Sequence, residues 1–510
     1  MARRGRKSNN LSFEQKPSVL ATGHSYHPLN DAQTQLIAQS AIQIMCEIGF
    51  SEYSVETAQV LVDAGCSHQG QRIHFTERLI KDTLSQIRNS ITLCGRRAQH
   101  DMKVGGLAAY VGTGGAAPNI FDNESNSYRP STLLDLFNSA RLCEQLDNIQ
   151  FFSRTLVARD MPTPRDLDIN TLFACLLGTE KHIMTSVSDA KHIPDIAEIC
   201  YAVAGSEAKF RARPFVSLNI NHIVPPLRFH TESFEVMQSA IAHGFPVHAN
   251  VFGQLGASSP VTTAGSVAQT LAEALAGVVF AYCVDPNVQV IAGPRPMITD
   301  LRTGGFSGGS GEQSLATAMC AQVMRHWNLP CSAIAGATDS KSTDAQSGFE
   351  KAMTVTTAIQ SGSNLVTQAA GTQAGLMGAS LQAYIIDNDM LGAILRANVL
   401  PEVTTETLAI RSISEVVNGD GHFLGQAETY QRMKSDFLYP EISDRRTIDE
   451  WATSEKISLE DQASAIVVRL LAKPPTPSID AEILRNLITR FNLAFEPLSL
   501  TPLKARALYI

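Results

Sequence analysis

From about residue 105 onward, short apolar runs alternate with longer stretches whose apolar positions recur every three or four residues. AAYVGTGG (108–115) precedes STLLDLFNSARLCEQL, and FFSRTLV precedes DLDINTLFACLLG. IMTSVS is followed by IPDIAEICYAVAG, PFVSLNIN by TESFEVMQSAIAHG, and PVHANVFG by the long TTAGSVAQTLAEALAGVVFAYC. NVQVIAG leads into EQSLATAMCAQVMRHW, CSAIAGA into DAQSGFEKAMTVTTAIQSG, and NLVTQAAG into SLQAYIIDNDMLGAILRAN. The longer stretches read as amphipathic helices; Leu315, Met319, Val323 and Trp327 share one face at steps of four. The short runs alternate little, as parallel strands covered on both faces do. Helices between them call for a parallel sheet. Eight such units predict an α/β fold, a (β/α)8 TIM barrel over residues 105–400. An open doubly wound sheet is the competing architecture.

The flanks read differently. AQTQLIAQSAIQIMCEIG, SVETAQVLVDAG and FTERLIKDTLSQI predict three helices ahead of the barrel, the first two stopped by glycine. Helical patterns resume at TLAIRSISEVV, and KPPTPS (473–478) is a stiff spacer before AEILRNLITRFNLA. The expected organisation is a flexible basic tail (1–29), an N-terminal helical extension (30–104), the barrel, and a C-terminal helical segment (401–510) packed on it. The tail, MARRGRKSNN, lacks the apolar core of a signal peptide. A net charge of −8 argues against a dedicated nucleic-acid binder, and no run of eighteen apolar residues suggests a membrane span. The nine cysteines are odd in number and form no C-x-x-C pair, which predicts reduced thiols, a cytoplasmic protein and no metal site.

In a barrel of this kind, chemistry sits where the strands end. Those ends hold Tyr110, Gly114, Gly115, Ser153, Arg154, Thr185, Ser186, Asn219 and Asn221. They continue with His248, Asn250, Arg295, Thr338, Asp339, Lys341, Gln368 and Gln373. Amides and hydroxyls dominate, which fits hydrogen-bonded recognition of a small polar molecule. Each candidate also has a structural reading. His248 faces either the interior or the helices. Asp339 and Lys341 form a catalytic pair or a solvated loop, and Asp344 is placed to cap the seventh helix. Glu312 lines the mouth or complements a helix dipole. Asp387 reads as surface or inter-helix. FSGGSGEQ suggests a phosphate cradle but lacks G-K-[ST].

DGHFLG (420–425) carries the D-x-H-x-x-G spacing of cobalamin-binding domains. Such a domain needs later strands and small residues, yet no glycine follows Gly425. A turn with a hydrogen-bonding histidine is therefore expected, without an internal corrinoid site.

VGTGGAAPNIFD (111–122), RPSTLLDLFNSARLCEQLDNIQFFSR (129–154), FSGGSGEQSLATA (306–318), TDSKSTDAQSGFEKAM (338–353) and GHFLGQAETYQRMKSDFLYP (421–440) together resemble the trimethylamine methyltransferase-like family of corrinoid-dependent methyltransferases. The likeness runs from about residue 30 to about residue 470. Thr113 and Gly311 stand where typical members have proline, and Gln426 lies near a position where they tend to have histidine. The chain reads through 331–345 in standard residues, so it is similar to the branch without pyrrolysine. That resemblance implies demethylation of a quaternary amine such as glycine betaine, with the methyl group passed to a separate corrinoid protein. No cofactor is expected on the chain itself; the methylcobalamin belongs to that partner. A homo-oligomer is expected.

A quaternary ammonium already carries a good leaving group, so the protein's task is to position the N–CH3 bond and exclude water. Aromatic faces hold such cations. Tyr110, Phe252, Phe306 and Phe349 are candidates, with Phe349 assigned instead to the core. His248, Asn221, Arg295 or Lys341 could receive a substrate carboxylate. The expected site has Tyr110 and Phe252 about the ammonium, with His248 and Asn250 as polar orienters. Glu312, Asp339 and Gln368 line the mouth. Two rivals remain: a lyase or aldolase-type enzyme using Lys341 and Asp339, and a barrel that only binds betaine.

Overall fold

The structure is a computed structural model that describes residues 21–23, 25–419, 421–474 and 479–494. The tail through residue 20, Asp420 of the D-x-H-x-x-G motif and residues 475–478 of the spacer lie outside the described residues.

The eight expected strands are present: β1 Ala108–Val111, β2 Phe152–Ser153, β3 Ile183–Thr185, β4 Val216–Asn221, β5 Val247–Val251, β6 Val290–Pro294, β7 Ser332–Ile334 and β8 Leu365–Thr367. Strands β2 to β6 form one parallel sheet in chain order, with Ile183 opposite Phe152 and Val216, Leu218 opposite Val247, and Val247 opposite Val290. Strands β7, β8 and β1 form a second, in which Leu365 pairs with both Ser332 and Tyr110. Isolated parallel bridges, Gly112 to Phe151 and Ala292 to Cys331, connect the edges of the two sheets. Spatial order follows chain order, without the reversal that marks a doubly wound sheet. The fold is α/β.

A helix follows each strand: α1 Leu133–Glu144, α2 Pro164–Gly178, α3 Ile193–Ala204, α4 Thr231–Ala242, α5 Thr263–Val284, α6 Gly311–His326, α7 Ala345–Ser361 and α8 Leu381–Ala397. Their starts are written locally. Thr132 and Asp135 form a reciprocal capping box, Pro164 occupies the first turn of α2, and Asp344 accepts from Ser347 N at 2.9 Å as its expected cap role requires. Helix α5 is long and apolar enough to cross a membrane, but 83% of its most apolar window is buried inside the protein. It is the central core helix, packed on β5 and β6.

The N-terminal extension contains the three expected helices, Asp31–Gln43, Val55–Asp63 and Glu77–Gln86. It also contains an antiparallel hairpin, Ser90–Leu93 with Met102–Gly105. Alternate residues of this hairpin, Ile91, Leu93, Met102 and Val104, pack with Tyr110, Phe151, Met184, Ile291 and Leu365 in a separate buried cluster. Phe151 directly precedes β2, Leu365 opens β8 opposite Tyr110, and Ile291 is second in β6, so the hairpin closes the N-terminal ends of the sheets. Helix Leu459–Leu471 of the C-terminal segment packs on α8 and α1, and Asp389 of α8 accepts from the backbone nitrogens of Glu441, Ile442 and Ser443 at 2.9 Å each. All nine cysteines are unpaired thiols, seven buried and two half-buried.

Candidate functional site

The strand ends opposite the hairpin carry three polar knots. In the first, Asn250 at the end of β5 donates to Asn219 Oδ1 on β4 (3.2 Å), and Asn219 donates to Ser153 Oγ on β2 (3.3 Å). Gly293 on β6 makes room for this ladder, since a Cβ there would collide with Asn250 Oδ1. Arg295 follows two residues later. It is 5% exposed, its guanidinium carbon lies 5.3 Å from the centre of the Phe252 ring, and its closest side-chain acceptor is Ser332 Oγ at 3.5 Å. Among the described residues no carboxylate pairs with it, and its Nε has no partner. Burial pulls the guanidinium down to about 9. A buried arginine without a counter-ion is costly unless an anion arrives.

Beneath this group runs a chain of neutral imidazoles. His182 Nδ1 donates to Cys94 O (2.8 Å), so its Nε2 accepts from Ser217 Oγ (2.8 Å) and Ser217 in turn accepts from His248 Nε2 (2.9 Å). The carbonyl at one end assigns the tautomers along the row. His248 Nδ1 is left as a buried acceptor without a partner among the described residues. Burial holds His248 well below the ordinary histidine range; a second proton on the neighbouring His182 would oppose one on His248, and the Arg295 guanidinium adds to the effect. Of the two orientations open in the sequence, His248 thus takes the interior one.

In the second knot, Asp339 after β7 accepts from Gly308 N (2.9 Å) and Ser307 Oγ (3.2 Å), tying two loops together beside Phe306 and Gly375. Burial raises the Asp339 carboxyl, and the nearby Glu350 carboxylate adds to the rise. Glu350 accepts from Thr338 Oγ1 and Asp339 N. It also lies against Gly309, where a Cβ would meet its carboxylate. The glycines of FSGGSGEQ thus admit a carboxylate, which is incompatible with a phosphate cradle. The third knot is Gln368, in the left-handed region at φ 62. With its amide nitrogen donating to Thr367 O (2.9 Å), its oxygen accepts from Gly115 N (3.1 Å).

Other candidates lie elsewhere. Tyr110 is at the closed end: its hydroxyl accepts from Lys103 N (3.1 Å) in the hairpin, and its ring belongs to the cluster there. Lys341 is exposed and donates to Asp339 O (2.6 Å), so it lacks the burial that tunes a lysine for Schiff-base chemistry. Glu312 is exposed in the first turn of α6, where it complements the helix dipole. Phe349, expected in the core, is 62% exposed because it faces outward from α7. Asn221 is exposed at the end of β4. Asp387 is inter-helix, in a buried pair with Lys351 (2.7 Å). The residues that sequence reasoning underweighted are Asn219, Ser217 and His182. The N-x-N spacing of 219–221 and the H-x-N spacing of 248–250 put like groups on one face of neighbouring strands, a signal that was available. Among the described residues no three histidines, cysteines or acids are grouped to hold a metal.

A sequence profile described as trimethylamine methyltransferase (MTTB) matches residues 1–491. The chain belongs to the trimethylamine methyltransferase family. It is 29% identical over 464 residues to a glycine betaine methyltransferase of Desulfitobacterium hafniense strain Y51, covering 90% of this chain and 95% of that protein. It is 25% identical to a trimethylamine methyltransferase MttB of D. hafniense strain DCB-2, covering 90% and 92%. The monomethylamine methyltransferase MtmB of Methanosarcina barkeri shares the fold, with a TM-score of 0.53, 10% identity, and coverage of 87% and 88%. The relatives named here are described as methyltransferases of glycine betaine, trimethylamine and monomethylamine. The chain's departures are structurally mild. Thr113 is buried and donates to Ser153 O (2.7 Å). Gly311 opens α6 with nothing near its Cβ position, so a proline would fit at that first-turn site too. Gln426 stands at the N-cap position of helix Ala427–Ser435 without a side-chain capping bond.

Proposed function

We propose that this family member demethylates a quaternary amine bearing a carboxylate, of the betaine type, and passes the methyl group to the Co(I) of a separate corrinoid protein. In this reading the two sheets and their bridges form one closed (β/α)8 barrel whose C-terminal mouth receives the acceptor. The observation that carries it is Arg295, a buried cation with no acidic partner among the described residues, stacked on Phe252 at that mouth. A substrate carboxylate supplies the missing anion, while the half-buried rings of Phe252 and Phe306 and the Asp339 carboxylate suit the ammonium end. His248, Asn250 and Asn219 orient the substrate through buried polar atoms, with Gln368 and Asn221 toward the rim. Glu312 contributes charge at the rim only.

The acceptor supplies the electron pair for displacement. The N–CH3 bond breaks, the methyl carbon moves to the acceptor, and the bonding pair stays on nitrogen as a neutral tertiary amine. No proton moves, which agrees with a neutral histidine row. The chain's residues bind, align and exclude water. The exposed Lys341 gives the lyase reading no support.

The experiment is incubation with reduced corrinoid protein and matched substrates, read by the absorbance of the methylated corrinoid. Glycine betaine, proline betaine or carnitine should be turned over at least about 100-fold better than tetramethylammonium, which keeps the ammonium but lacks the carboxylate. Equal rates would remove the role of Arg295. Betaine binding with no transfer to any corrinoid acceptor would leave only a binding protein.

A further inference from the structure

His248, Asn250 and Arg295 together make demands that a plain betaine does not meet. His248 and Asn250 are alternate residues of β5 and share its interior face. Cys94 O, just after the first strand of the hairpin, can only accept, so the row from His182 through Ser217 to His248 runs one way. The neutral His248 uses its single N–H on Ser217 Oγ (2.9 Å), and its Nδ1 presents a lone pair. His248 is 1% exposed, and that nitrogen has no partner among the described residues. Asn250 is fully buried and matches it. Its amide nitrogen donates to Asn219 Oδ1 (3.2 Å), and its own Oδ1 has no partner among the described residues. Arg295 turns its guanidinium toward Ser332 at the start of β7, and its charge reaches His248. One interior thus holds a cation and two unused acceptors.

A carboxylate satisfies the arginine and nothing else, because it only accepts. A quaternary ammonium has no N–H. Glycine betaine therefore carries no hydrogen-bond donor at all. Binding it would strip water from two buried acceptors and leave them unpaired, which costs more than a formed bond contributes. The missing donor is a hydroxyl on the substrate.

We infer that the preferred substrate is a betaine that also carries a hydroxyl, which donates to His248 Nδ1 while the carboxylate sits against Arg295. This rests on the betaine reading above and narrows it. Ser217 and His182 are positioning residues: neither touches the substrate, and together they hold His248 in the tautomer that accepts. A row running the other way would turn an N–H toward the substrate and favour a second acceptor there. The Cys94 carbonyl forbids that direction, so the hairpin that closes one end of the strands also sets what the interior recognises.

The test is calorimetric binding to the full chain, with no corrinoid protein present, of two matched pairs. Carnitine is compared with γ-butyrobetaine, and hydroxyproline betaine with proline betaine. In at least one pair the hydroxylated member is expected to bind about tenfold tighter or more. His248→Phe removes the acceptor and should bring that ratio to about 1. Ser217→Ala keeps the imidazole but frees its tautomer, and should shrink the ratio several-fold. Nitrogen NMR of histidine-labelled protein should show His248 Nδ1 unprotonated in the parent and partly protonated in Ser217→Ala, a readout that holds even where His248→Phe does not fold. Equal binding within both pairs, as when a water occupies the two acceptors, would overturn the inference. So would a ratio that survives in Ser217→Ala and His248→Phe, or a parent with Nδ1 protonated. Equal binding with all four betaines far tighter than tetramethylammonium would sink the hydroxyl and leave the betaine reading standing. Betaines no tighter than tetramethylammonium would sink both.

Discussion

Arg295 and Glu273 are two buried charges whose surroundings make opposite demands. For Arg295, Arg295→Gln should raise the KM for a betaine by about 30-fold or more, the consequence of truncating one partner of a buried charge pair. Arg295→Lys should recover little, because a lysine cannot reproduce the stacked planar fork over Phe252. Steady-state kinetics on glycine betaine with corrinoid protein in excess measure both, and an unchanged KM in Arg295→Gln would remove the anion role. Glu273, in the middle of α5, accepts from Leu227 N (2.9 Å) and Gln269 Nε2 (3.0 Å) through one oxygen, while its other oxygen is buried without a partner among the described residues. Burial pushes its carboxyl up to about 7. The unfolded value is about 4.3, so between these pH values the folded state holds a proton that the unfolded chain has lost. Stability from this group therefore falls as pH rises from about 4.3 to about 7, by on the order of 3 kcal/mol, and is level above. Glu273→Gln keeps the accepting oxygen and removes the ionisation. Its Tm should exceed the parent's at pH 8, with the gap closing toward pH 4.5; a gap independent of pH would show that Glu273 does not titrate in this interval.

The hairpin Ser90–Leu93 and Met102–Gly105 decides which end of the strands is open. Its four inward apolar residues and the Tyr110 hydroxyl together seal one end, so a tyrosine expected at the substrate is a structural residue. Tyr110→Phe keeps the ring and loses the bonds to Lys103. It should cost about 1 kcal/mol of stability and leave kcat/KM for a betaine unchanged, whereas a tenfold loss of kcat/KM with unchanged Tm would return Tyr110 to the site. Gly293→Ala is the complementary case at the open end. Its Cβ displaces the Asn250 amide, so it should lower kcat/KM about tenfold while changing stability by less than the ~1–3 kcal/mol of an overpacked core. The α/β alternation was readable because eight apolar runs and eight helical periods are long-range regularities, and caps such as Thr132 and Asp344 mark their starts locally. The hairpin was not, because SITL and MKVG are four-residue runs joined by CGRRAQHD, a connection with no two-residue turn signature. Periodicity placed His248 and Asn250 on one strand face. It could not tell that Tyr110, also on a strand, points at a plug supplied from outside the eight units.

At the scale of the whole molecule, the chemistry-bearing loops and the two anchors of the C-terminal segment fall at opposite ends of the same strands. Arg295, Asp339 and Gln368 follow β6, β7 and β8, whereas residues 398 and 436 are both pinned near the start of β1. If each chain's open end is a complete site, titration with corrinoid protein should saturate at one corrinoid protein per chain, with a Hill coefficient near 1. Saturation at one corrinoid protein per two chains, or a Hill coefficient well above 1, would mean that the sites are not independent, and the separation of functions between the two ends of the strands would then be wrong, even with the substrate assignment intact.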